Sequence, residues 1–209
     1  MSDVRVEVAG VGIHPFGRFE DLTVTEMGVH AVRAALAEAE NPPVDAAFCG
    51  TAYSGVAAGH RVLGALARTG IPIVDIEAGC ASGGAALQLA AGAIRAGQFD
   101  RVLVFGMEKM PKGMIRSSFF ALWQEETGMN ATPAYFALRA QRLMRETGIT
   151  KHDLAQVCVK NRRHGVTNPN AMFRKEVTVE DVLSSRVVAE PLHLWMLCSP
   201  NEGAAAVVL

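Results

Sequence analysis

Cysteine is scarce. The 209-residue chain holds four, Cys49, Cys80, Cys158 and Cys198, far apart and never as a CxxC pair. This argues against a disulfide framework and against a zinc site built from paired cysteines, so no metal is expected. Reduced thiols in a cytoplasmic protein are the simpler reading. A surplus of charge is lacking too. Twenty Lys and Arg stand against 21 Asp and Glu, a net charge of -1, which is not the footprint of a nucleic-acid binder. The opening MSDVRVEVAG has no basic segment followed by an apolar one, so no secretory leader is expected. The longest apolar stretch, residues 78–94, is rich in Gly and Ala and carries Ser82 and Gln88. It makes a poor membrane span and a good buried core helix. Internal repeats and low-complexity tails are absent.

What is present is a regular alternation of element signals in a chain that is half hydrophobic, enough for one sizeable core or two small ones. Val4, Val6 and Val8 alternate with charges in VRVEVAGVG and predict a strand. Thr23 and Glu26 have the spacing of a capping box and open a helix to about Glu40, ended by Pro42 and Pro43. VDAAFCG reads as a second strand, 59–69 as a second helix, IPIVDIEAG as a third strand, 81–96 as a third helix and DRVLVFGMEKM as a fourth strand. This β-α-β-α-β-α-β rhythm, with short connections, predicts a parallel α/β sheet with helices on both faces. The rhythm then breaks. Residues 107–185 carry helical patterns over 131–146 and from Thr150 to about His164, and no clear strand. They are expected to form a helical insertion, with a sheet core at 1–106 and 186–209. AAAVVL at the end reads as a fifth strand.

Cys80 falls at the third strand-to-helix turn, on the carboxyl side of a parallel strand, where ligands of such sheets collect. Unpaired N–H groups and the positive end of the helix dipole favour thiolate there, and the same N–H groups suit an oxyanion. Gly83 and Gly84 follow. Each costs a helix about 1 kcal/mol, so tight packing or substrate access should fix them, in a helix buried on all sides. Two readings of Cys80 stay open: an inert thiol in a tightly packed helix, or a nucleophile. Cys49 at a strand end, Cys158 on an apolar helix face and Cys198 before a Ser-Pro turn read as inert. The basic run KNRRH (160–164), with Lys109, Lys112 and Arg116, suits either phosphate groups or a solvated helix face. Met107, Met110, Met114 and Met129 suit an acyl tunnel or ordinary packing.

Four segments, in order, resemble one family. GCASGGAAL around Cys80 resembles the nucleophile segment of thiolases. VFGMEKMPKG (104–113), VKNRRHGVTNPNAMFR (159–174) and CSPNEGAAAVVL (198–209) are similar to segments of the sterol-carrier-protein-type branch, as is VGIHPFGRF near the start. The resemblance is to the N-terminal half of the fold. It implies a five-stranded mixed sheet, β-α-β-α-β-α-β-β, with helices on both faces and a loop domain before the last strand. It implies that Cys80 carries an acyl group as a thioester and that coenzyme A thioesters are substrates, with no tightly bound cofactor. Residues that would contact coenzyme A are not assigned. It also implies a homodimer paired through the third strand, IPIVDI, and a central helix that packs against its counterpart in a second half. That second half would supply the histidine base, the second cysteine and part of an oxyanion hole. His14, His30, His60, His152, His164 and His193 lie in other contexts. The chain alone is therefore expected to be inactive: either the sequence is a truncated piece, or a separate C-terminal-half chain or a small partner subunit supplies the rest. Two further functions fit this picture: a retro-aldolase-type lyase acting on steroid side-chain thioesters with a partner subunit, and an inactive half that binds or scaffolds. Such lyases tend to lose the nucleophilic cysteine, so Cys80 argues for the transferase.

Overall fold

A computed structural model describes residues 4–113, 120–129 and 131–209. The chain divides into two compact units, residues 1–110 with 201–209, and residues 111–200. The first carries the sheet. Its elements are β1 (Gly10–Gly17), α1 (Val24–Glu38), β2 (Ala46–Gly50), α2 (Ala58–Ala65), β3 (Ile73–Ile76), α3 (Ser82–Arg95) and β4 (Val102–Lys109). The second contains α4 (Leu122–Glu126), α5 (Thr132–Thr147), α6 (Lys151–Thr167), α7 (Val179–Ser184) and a two-stranded hairpin of β5 (Val187–Ala189) and β6 (Leu192–His193). The chain then returns to the sheet as β7 (Glu202–Val208).

Strand order is β1-β7-β4-β2-β3. β4, β2 and β3 run parallel, and β7 lies antiparallel between β1 and β4. The sheet is thus the mixed five-stranded α/β sheet that the family resemblance implied, and the wholly parallel sheet expected from the element rhythm is broken by the antiparallel β7. Alternation along the strands sorts side chains to two faces. Leu103, Phe105 and Met107 join Met27, Val32, Val62 and Leu63 under α1 and α2. Val102 and Val104 join Ala46, Ala86, Ala90 and Leu209 under α3.

The first strand departs from its prediction. Residues 4–9 form no strand, Val4 and Val8 are exposed, and β1 begins at Gly10. Close approach to α1 decides the register. A Cβ on Gly12 would lie 2.0 Å from the Ala31 carbonyl oxygen, and one on Gly10 would lie 2.3 Å from that of Ala35. Only glycines let this strand press against the helix, and that requirement outweighs the alternating valines. The capping box of α1 forms as expected: the Thr23 N–H donates to Glu26 Oε2 at 2.7 Å and the Glu26 N–H donates to Thr23 Oγ1 at 3.2 Å. Helix α2 stops at Ala65, short of the predicted 69.

In the second unit α5 and α6 lie where predicted, while α4, α7 and the hairpin were not foreseen. Helix α7 carries its own capping box, Thr178 with Asp181. Its Val179 and Val182 pack with Ala155 of α6. The sheet core expected to resume at 186 resumes at Asn201, because 187–193 pair with each other rather than with the five-stranded sheet.

Candidate functional site

Cys80 sits where the sequence placed it, in a single 3-10 turn, Gly79–Ala81, between β3 and α3, and it is exposed. Gly79 takes φ +56 to enter the turn. The turn is braced from within. Ser82 Oγ accepts the Ala78 N–H at 2.9 Å and donates to the Gly79 carbonyl at 2.7 Å. Glu77 Oε1 accepts the Gly79 N–H at 2.6 Å. The start of α3 also presses on the end of β2: a Cβ on Gly50 would lie 2.7 Å from the backbone carbon and oxygen of Ser82. Only a glycine at the last position of β2 allows that approach.

The carboxyl ends of β2, β3 and β4 gather polar groups around this turn. The Thr51 N–H donates to the Ile76 carbonyl at 3.1 Å, tying the loop after β2 to the end of β3. Glu108, near the end of β4, collects that loop. Its Oε2 accepts the N–H groups of Ala52 at 2.8 Å and Tyr53 at 2.9 Å, and its Oε1 accepts Ser54 Oγ at 2.9 Å. Asp75 accepts the first-turn Gly59 N–H of α2 at 2.7 Å and lies 3.5 Å from His60 Nδ1. Sequence reasoning assigned no role to Glu108, Asp75 or His60. A carboxylate directly after the apolar run VLVFGM was the available signal for Glu108.

Cys49 is the contrasting thiol. It is fully buried in the core beneath α1 and α2. Burial pushes its thiol far up, and the Asp75 and Glu108 carboxylates add to that. Both effects suppress its thiolate. Cys158 is half-buried and donates to the Trp195 carbonyl, while Cys198 is exposed.

Other expectations change. Helix α3 is buried along one face only. Ala86, Ala90 and Ala93 are buried, whereas Gly83, Gly84, Leu87 and Leu89 are exposed. A Cβ on Gly83 or Gly84 would meet nothing within 4 Å, so packing within this chain does not require either glycine. Lys109 is not available to a phosphate. Its Nζ donates to the carbonyls of Phe19 and Leu22, both at 2.6 Å, and lies 3.8 Å from Glu202. Arg162 of the basic run lies over the Phe173 ring at 3.9 Å, while Lys160, Arg163 and His164 face solvent. Arg116 and Met114 lie outside the described residues. Met107 is core packing, and Met129 lines an open hollow of about 390 Å³ in the second unit with Ala134, Leu138, Gln141 and Glu190. Among the described residues no cluster of His, Cys, Asp and Glu fits a metal ion, and no helix is long and apolar enough to cross a membrane.

Fold and site together define an α/β domain that presents a thiol at the carboxyl end of its sheet. Residues 6–209 match the family model described as thiolase, N-terminal domain, and the chain belongs to that family. It is 38% identical to a benzoylsuccinyl-CoA thiolase subunit, BbsB, of Thauera aromatica, over 98% of this chain and 55% of that protein. It is 36% identical to an acetyl-CoA acetyltransferase of Methanothermobacter thermautotrophicus, over 98% of this chain and 56% of that protein. Among solved structures, an Ltp2–ChsH2(DUF35) aldolase superposes with a TM-score of 0.83 at 30% identity, covering 96% of this chain and 54% of that one. The chain spans about half the length of the curated relatives it matches.

Proposed function

We propose that this chain is the acylating half of a thiolase-type acyltransferase. The observation that carries the reading is the exposed Cys80 in the turn between β3 and α3, on a chain that matches the thiolase N-terminal domain. In the proposed first step the Cys80 thiolate attacks the carbonyl carbon of an acyl-CoA. The tetrahedral oxyanion collapses, and coenzyme A leaves as its thiol with a proton supplied by the missing half or by solvent. The acyl group then remains on Sγ as a thioester. A second acyl-CoA condenses with it, or, in reverse, coenzyme A cleaves a 3-oxoacyl-CoA. Covalent catalysis splits one difficult carbon–carbon step into two easier ones. The fold supplies the nucleophile and the helix terminus. General acid and base groups, worth about 10²–10⁴-fold, would come from a C-terminal thiolase half, in the same polypeptide or another, or from a partner subunit. The exposed side of α3 is the surface we assign to that partner, and the edge strand β3 the surface for a homodimer. Reduced thiols fit a cytoplasmic setting.

The test is intact mass after incubation with an acyl-CoA, with and without a companion chain. An acyl adduct on Cys80, absent in Cys80→Ala, is expected. An adduct elsewhere, or none with either preparation, overturns the reading. The likeness to an aldolase complex favours a second reading, a retro-aldolase-type lyase on acyl-CoA thioesters. Carbon–carbon cleavage that persists in Cys80→Ala would select it. Binding of a partner with neither adduct nor cleavage would instead leave a scaffolding half.

A further inference from the structure

The loop after β2 is held in an unusually complete way for an exposed connection. Glu108 accepts the Ala52 and Tyr53 N–H groups and the Ser54 hydroxyl within 2.9 Å, and Thr51 Oγ1 at 3.3 Å. Thr51 Oγ1 in turn accepts the Ser54 N–H at 3.2 Å. On the far side, the Arg61 guanidinium donates to the carbonyls of Ser54 and Val56. The loop's first residue is bonded to the last residue of β3, four positions before Cys80, and the glycine before it lies against the first turn of α3. A continuous path of backbone contacts therefore runs from the Glu108 carboxylate to both sides of the Cys80 turn. Bonds to a carboxylate are among the stronger ones, and five donors converge on this one, four of them from residues 51–54 and the fifth the Lys109 N–H.

We infer that Glu108 is a positioning residue for Cys80: through the 51–54 loop it fixes the end of β3 and the start of α3, and so the turn that presents the thiol. Its negative charge would oppose a nearby thiolate, so the contribution is geometric rather than electrostatic. The inference rests on the reading of Cys80 as the nucleophile, and its test is arranged so that the two can fail separately.

Glu108→Gln keeps the side chain's size and replaces one acceptor oxygen with an amide nitrogen that cannot accept. Two readouts are needed in the full chain. The first is amide hydrogen exchange at residues 51–54 and 78–83. The second is the pH profile of Cys80 alkylation by iodoacetamide, with Cys198 as internal standard. We expect exchange in both segments to accelerate about tenfold, with the β4 amides unchanged, and Cys80 alkylation at neutral pH to slow at least about threefold relative to Cys198. Ser54→Ala, which removes one donor, should shift both readouts in the same direction by less, and it serves if Glu108→Gln does not fold. Faster exchange at 51–54 with residues 78–83 unchanged would overturn the inference. So would faster exchange in both segments with an unaltered Cys80 profile, which would leave Glu108 a structural residue only. A wild-type Cys80 no more reactive than Cys198 would instead count against the nucleophile reading. Exchange at 78–83 would then still decide whether Glu108 holds the turn.

Discussion

The two faces of the sheet are built differently. Under α1 and α2 the sheet's Leu103 and Phe105 meet large side chains, Met27, Val32, Val62 and Leu63, all buried to within a few per cent. Under α3 it meets chiefly small ones, Ala86 and Ala90, and the far side of that helix exposes Leu87 and Leu89. The two thiols follow the same division. Cys49 points into the filled face and is fully buried, whereas Cys80 opens the helix of the other face and is exposed. The filled face needs nothing beyond this chain. The α3 face combines an exposed thiol, glycines with open space above them and uncovered leucines, as expected of a surface that further protein covers.

The largest difference should appear in thiol chemistry. Alkylation of the native protein at neutral pH should modify Cys80 at least about 1,000-fold faster than Cys49, whose thiolate is suppressed by burial and by neighbouring carboxylates. Peptide mapping over time measures this. The sharper comparison is with Cys198, exposed but at no helix start. Cys80 should lead there too, and equal rates would reduce its distinction to accessibility.

Next comes packing. Leu103→Ala, on the filled face, should cost about 3 kcal/mol, since the residue is fully buried and its neighbours can collapse only in part. A urea titration checks this, and a cost under about 1 kcal/mol would mean the face is less tightly filled than its burial indicates.

How much of this was legible beforehand depends on the range of the determining contact. The helix starts at Thr23 and Thr150 were readable because a capping box is a bond between residues three apart. The place of Cys80 was readable because the strand-turn-helix that holds it spans under thirty residues of strong pattern. The register of β1 was not, because Gly10 and Gly12 matter only once α1 lies against them. Glu108 was hidden for the same reason, since its partners lie more than 50 residues away. The exposure of α3 was misjudged because a run of Gly, Ala and Leu reads as buried whether its cover is in this chain or another.

A smaller effect concerns Glu202. Glu202 is buried at the start of β7. It accepts the Phe19 N–H at 2.6 Å and an Arg18 hydrogen bond at 3.1 Å, with Lys109 3.8 Å away. Burial alone would raise its pKa, but the Phe19 N–H, Arg18 and Lys109 outweigh burial and hold the carboxyl below the usual range. A depressed folded-state pKa contributes stability that is fully present above the unfolded value of about 4.3 and is lost as pH falls through the folded value. Glu202→Gln should therefore cost about 2 kcal/mol at neutral pH and flatten the loss of stability on acidification below that unfolded value. An unchanged acid slope would show that other carboxylates carry it.

The smallest effect on the chain itself is expected on α3. Leu87 and Leu89 are 42% and 52% exposed, so replacing both with Ser should change the unfolding free energy by less than about 0.5 kcal/mol each, as for surface positions generally. A loss well above that would mean the outer side of α3 is packed within this chain, and the contrast between the faces would fail. The same replacement should act strongly on association. Removing two apolar side chains from an uncovered helix face takes away the surface that drives self-association or partner binding. Sedimentation of the double variant and the wild type across a concentration series separates the two effects. Unchanged unfolding with weaker association places α3 at an interface, and unchanged association removes it from one.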